Sequence, residues 1–187
     1  MDNKTLAILN DLRSSDKNLR YHAFMNLIKI TDEPVDWAYQ VWDELLANLK
    51  HKDNHVRAIA AQLLCNLAKS DPGNRMLKDF GSILAVTRDE RFVTARHTMQ
   101  ALWKVGLAGE KERKLLLEGL EARYHECISE RNTTLIRYDI IQDLRNLYDE
   151  VKEEYIREKA LELIELEEDL KYRKKYASLW RDSSRRD

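Results

Sequence analysis

Arg20, Arg57, Arg96 and Arg137 recur at matching places in similar stretches of this chain. A guanidinium presents five donors in a planar fork that fits carboxylate or phosphate. Lined up along stacked helices, the four arginines would form one of two things. One is an internal ladder to the acids that keep step with them. The other is a basic stripe drawing an acidic peptide or a phosphate backbone. Aromatic residues form the second group. On a helix Trp42 joins the face of Ala38, Val41 and Leu45. Trp37 falls at the edge of that face and Tyr39 away from it, so Trp37 is expected either to fill the core edge or to anchor a partner. The third group is Tyr172, Tyr176 and Trp180, set among Lys171, Arg173, Lys174 and Lys175.

Metal and covalent chemistry find little support. His51 and His55 flank Asp53 at a spacing that suits a metal on one helix. They fall in an inter-helix turn, however, and read as surface polar residues. His125-Glu126-Cys127 begins like a zinc-deaminase signature, but no Cys-x-x-Cys follows. Cys65 and Cys127 lie on apolar helical faces, where an inert buried thiol is the expectation. There is no glycine-rich phosphate loop, Gly-x-Ser-x-Gly or His-Glu-x-x-His. Gly106 and Gly109 flank a turn. We therefore expect no catalytic residue, no cofactor and no metal.

The elements that must position these residues are helices. Five glycines and two prolines in 187 residues fall far below the roughly 12% usual in proteins, too few for a turn-dense sandwich or barrel. Apolar residues reach 43% and charged residues 35%, rich in Leu, Ala, Glu, Lys and Arg, all good helix formers. No run of eighteen apolar residues exists to cross a membrane. The opening residues lack a basic segment followed by an apolar one, so no secretory signal is expected. Two cysteines without close spacing fit a reduced, cytoplasmic compartment. A net charge of −1 is not that of a basic nucleic-acid binder.

A repeat organises the helices. Asp16, Leu19, Arg20, Ala23, Leu27 and Ile30 match Asp53, Val56, Arg57, Ala60, Leu64 and Leu67 offset for offset. A further copy runs Thr133, Ile136, Arg137, Ile140, Leu144, Leu147, with Thr133 taking the capping place of Asp. Between them Thr98, Leu102 and Val105 keep phase while Arg96 comes one place late. Steps of three and four make one stripe of a 3.6-period helix. Each copy follows another amphipathic stretch. The second is preceded by Ala38, Val41, Leu45 and Leu49, with Pro34 expected in its first turn. The turn Asp71-Pro72-Gly73 leads to Met76, Phe80, Ile83 and Leu84. Leu116, Leu120, Tyr124 and Cys127 precede the last. Units of two antiparallel helices follow.

In these residues the chain resembles the HEAT-repeat family of HEAT/armadillo-like α-solenoids, over residues 3–150. The resemblance implies an all-α fold: a right-handed α-α superhelix of about four helix pairs. A plain antiparallel bundle is the alternative packing. The family's functions are diverse. The expected function is a non-enzymatic scaffold or adaptor binding a protein or peptide on its second-helix surface. The alternative is a nucleic-acid binder related to the HEAT-like alkylpurine DNA glycosylases. That chemistry would need an exposed aromatic cleft beside a carboxylate, for which Trp37 and Trp42 with Asp36 or Asp43 are the nearest residues. A HEAT-like lyase acting on a chromophore has no supporting residue. Residues 51–100 hold eight Lys or Arg against five Asp or Glu, too small an excess to demand nucleic acid.

From Val151 to Trp180 no glycine or proline interrupts the chain, and one helix of roughly 30 residues is expected. Residues 151–170 hold eight acids, and bases dominate 171–187, an order that suits the helix dipole. Its first half is expected to cap the array through Leu163, Ile164, Leu166 and Leu170. Its basic, aromatic end is expected to overhang and pair with a second copy or a partner, its bases meeting acids such as Glu162 to Asp169. The Ser-Ser-Arg-Arg-Asp tail is expected to fray.

Overall fold

A computed structural model describes residues 1–181; their regular secondary structure is helical throughout, with no strand among them. Ten α-helices follow in order: α1 Asn3–Leu12, α2 Lys17–Ile30, α3 Ala38–Asn48, α4 Asn54–Leu67, α5 Arg75–Val86, α6 Phe92–Met99, α7 Glu110–Glu126, α8 Thr133–Val151, α9 Glu154–Glu165 and α10 Leu170–Ser178. They form five consecutive pairs. Contacts link each even-numbered helix to the next, α2 to α4, α4 to α6, α6 to α8 and α8 to α10. Among the odd-numbered helices α5 meets α7 and α7 meets α9. α4 and α8, each between two neighbours of this row, are the most covered, with eight buried residues apiece.

The repeated frame does what its spacing dictates. The Asp16 carboxylate accepts from the Asn18 and Leu19 amides at 2.8 and 3.2 Å, and Asp53 accepts from His55 at 2.8 Å. These are N-caps satisfying otherwise orphaned donors. Behind them Ala23 and Leu27, then Ala60 and Leu64, are buried. The small Ala side chains leave room for the next helix to approach. The irregular third copy is also irregular in space. α6 stops at Met99, and the in-phase Leu102 and Val105 lie in a separate 3-10 turn, Leu102–Leu107. Gly106 lets Leu147 pack close there: a Cβ would stand 2.8 Å from both Leu147 methyls and would push that side chain aside.

Two local expectations are corrected. Thr133 is not a cap: Asn132 precedes α8 without a side-chain cap bond, and the Thr133 hydroxyl lies 3.4 Å from Cys127 Sγ. Pro34 lies in the α2–α3 connection, four residues before α3 begins.

The larger correction is the C-terminal segment. The single long helix is not formed. α8 ends at Lys152 in a left-handed conformation (φ 55°), and a turn at residues 166–169 separates α9 from α10. The cause lies in the acidic run itself. Asp169 caps α10, accepting from the Lys171 and Tyr172 amides at 2.8 and 3.4 Å. Glu167 turns inward to Arg137 at 3.0 Å and also accepts from the Asp169 amide. A carboxylate that caps and one that pairs inside outweigh the modest gain of placing acids early in a continuous helix. Asp169, Tyr172, Arg173, Tyr176 and Trp180 therefore repeat the offsets of Asp16, Leu19, Arg20, Ala23 and Leu27, and α9–α10 is a fifth pair. The Ser183–Asp187 tail lies outside the described residues.

Candidate functional site

Arg57 holds Asp89 through Nε at 2.6 Å and Nη2 at 2.8 Å, and its Nη1 donates to the His51 and Lys52 carbonyls. Arg96 reaches Asp139 at 2.8 Å, and Arg137 reaches Glu167 at 3.0 Å. Arg137 also lies 4.5 Å from the Tyr124 ring centroid and donates to the Tyr124 carbonyl. Arg20 makes the longest rung, 3.5 Å to Asp53. Arg20, Arg57 and Arg173 each donate to the carbonyl six residues back, Ser14, His51 and Glu167. Each guanidinium thus ties its own inter-helix turn, and the ladder rungs add an acid of the next pair. Hydrogen bonding to Arg57 and Arg91 holds Asp89 below the usual carboxylate range despite its burial. Three of these four side chains are at least 86% covered, whereas that of Arg96 is 39% exposed.

The aromatic candidates are also inward. Trp37 is buried just before α3, and Trp42 is fully buried with Nε1 donating to Asp79 at 2.9 Å. Asp43 is exposed and pairs with Arg75, while Asp36 is exposed. The two tryptophans and the neighbouring acids therefore do not form an exposed aromatic cleft. Tyr39 alone of this group is substantially exposed. Its hydroxyl donates to Asp71 and accepts from the Gly73 amide, tying α3 to the turn before α5. Tyr176 has no exposed surface, and its hydroxyl donates to the Thr134 carbonyl at 2.9 Å. Trp180 is buried beside Tyr148, with centroids 5.4 Å apart, and under Arg145. Tyr172 is half-buried next to Tyr176. The overhang expected of these three is not present. Tyr176 and Trp180 attach the C-terminal end of the chain to α8.

His51 turns Nδ1 to the Asp53 amide at 3.0 Å, and His55 stands exposed, so the pair forms no chelate. No group of three metal-ligating side chains occurs among the described residues. Both cysteines are buried, and burial pushes the Cys65 thiol far above its ordinary range, where it is unreactive. Asp143 is buried with neither oxygen hydrogen-bonded. Burial and neighbouring Asp139 raise its carboxyl well above the usual range.

What sequence reasoning missed lies mostly off the repeated stripe. α2 exposes Tyr21 and Met25, and also Leu19, a stripe position that the frame expected to be covered. Tyr21 and Phe24 of α2 line a groove of about 320 Å³ together with Ala58, Ile59 and Gln62 of α4. His97 of α6, Lys17, Arg20 and His55 complete the lining, which holds no carboxylate among the described residues. One end of this three-helix segment is tied across. Lys104 Nζ reaches Asp32 at 3.0 Å, and Asn66 Nδ2 donates to the Ile28 carbonyl at 3.0 Å. A second cavity, about 330 Å³, is lined by α1, α3 and α4, with Leu9, Val41, Val56 and the Arg13–Glu44 pair among its residues. The sequence signal for the α2–α4–α6 groove was a set of large apolar residues on α2 away from the stripe, Tyr21, Phe24 and Met25. Compared with known proteins, the chain matches no family model and no curated protein.

Proposed function

We propose that this chain is a HEAT-like α-solenoid acting as a non-enzymatic, cytoplasmic scaffold, and that it binds an acidic, leucine-bearing protein segment in the groove of α2, α4 and α6. The observation that carries the reading is the composition of that groove. Its lining joins Tyr21, Phe24, Ala58 and Ile59 to Lys17, Arg20, His55 and His97, an apolar surface edged by basic and imidazole side chains. Interfaces favour an exposed aromatic beside a cationic rim, where Tyr supplies area at low entropic cost. The arginine ladder contributes by keeping the pairs in register and leaving the groove's shape fixed.

A nucleic-acid ligand is the less supported reading. Phosphate binding needs several unpaired cations in a track. Arg57, Arg96 and Arg137 are committed to Asp89, Asp139 and Glu167. Fluorescence anisotropy with a labelled heptapeptide Glu-Leu-Glu-Glu-Asp-Leu-Lys tests the proposal against a labelled DNA duplex. Peptide binding that weakens about tenfold or more in Tyr21→Glu supports it. Binding of the duplex with no binding of the peptide would favour the alternative.

A further inference from the structure

The acidic ligand has a counterpart on this same chain. The corner between α9 and α10 exposes Leu166 at 47% and Leu170 at 64%, the largest exposure of any leucine among the described residues. Glu165, Glu168 and Asp169 surround them, and all three are exposed. Glu168 makes no ion pair among the described residues. Apolar side chains this exposed amid carboxylates do not stabilise the corner, because α9 and α10 already bury Leu163, Ile164 and Tyr176 beneath it. The corner cannot fill its own groove. α10 contacts α8 and α9, and the groove is built from α2, α4 and α6.

We infer that the Glu165–Leu170 corner of one copy seats in the α2–α4–α6 groove of a second copy, Leu166 and Leu170 against Tyr21 and Phe24, and Glu168 toward Lys17. This rests on the groove being a protein-binding site and names its occupant. Charge complementarity selects the pairing. The groove has no lining carboxylate, and Lys17 makes no ion pair among the described residues. Arg20, held by the longest rung of the ladder at 3.5 Å, retains donors for an incoming acid. Two copies related by a two-fold axis each give one corner and receive one, which closes the assembly.

The test uses full-length protein and reads molar mass by sedimentation equilibrium. Wild type associates with Kd of about micromolar order, more weakly as salt rises. Tyr21→Glu disables the groove and Leu170→Lys disables the corner. Each is monomeric with unchanged helical circular dichroism, and each site is exposed enough to leave folding intact. Mixed together, the two variants form a one-to-one complex, because the intact corner of the first meets the intact groove of the second. A contact between like patches could not give that rescue. Monomeric wild type at concentrations far above micromolar, or association surviving both substitutions, overturns the inference. If wild type is monomeric and the heptapeptide still binds in the groove, only the self-docking fails. If neither occurs, the groove reading fails with it.

Discussion

Arg57 grips Asp89 with two parallel hydrogen bonds, although 32 residues separate them and they belong to different helix pairs. The same guanidinium closes the turn before its own helix through the His51 carbonyl. One side chain therefore fixes both the internal geometry of a pair and its distance to the next. A lysine, with one compact charge, could not hold both.

Arg57→Ala should lower stability by roughly 2 kcal/mol, since Asp89 and two carbonyls lose a donor in a partly covered site. Arg57→Lys should recover only part of this. Thermal denaturation checks both. An unchanged melting temperature together with lost peptide binding would make Arg57 a recognition residue.

Asp169→Ala separates a fifth helix pair from one long helix. As a cap, Asp169 should contribute about 1 kcal/mol, so its removal lowers the melting temperature. Inside a continuous helix the same change to a better helix former would raise it. Urea titration of the two proteins gives the sign.

Asp143→Asn should stabilise the protein at neutral pH. Burial raises the Asp143 carboxyl well above 3.8 in the folded chain, so the folded state takes up a proton that the unfolded state has released. Stability tied to this group is fully present below the unfolded carboxylate range and is lost as pH rises toward the folded pKa. Asn mimics the protonated acid without that dependence. The advantage of the variant should therefore be largest at neutral pH and fade as pH falls toward 4, which melting curves at several pH values measure.

Chelation should leave folding unchanged. The arginine–acid rungs and the apolar core link successive pairs without a metal. Melting in excess chelator should match melting without it. A drop restored by one added divalent ion would contradict this.

Much of the fold was legible because its information is local. Asp16 and Asp53 cap helices, and Arg20 and Arg57 follow one turn later, with Ala and Leu at the following core positions. Period and capping chemistry need no knowledge of distant residues. The fifth frame, beginning at Asp169, was equally present. It was hidden because five of the six residues at 165–170 are ones that a helix also tolerates, and no glycine or proline marks the turn. Only the competition between capping, the inward pull of Arg137 on Glu167 and helix continuation decided it.

The site was less legible for a different reason. The recurrence of the arginines was visible, but their role depended on Asp89, Asp139 and Glu167, which lie 30 to 43 residues away. Trp37, Tyr176 and Trp180 looked able to serve as anchors because sequence gives an aromatic's type and not its neighbours. The groove itself joins Tyr21, Ile59 and His97 from three helices. The sequence by itself determined that the chain is helical, the caps at Asp16 and Asp53 and the Ala and Leu core positions behind them. Which acid each guanidinium reached, which aromatics were covered and where an uncovered trough remained were decided by the tertiary structure, because side chains far apart in the chain meet only when the helices stack.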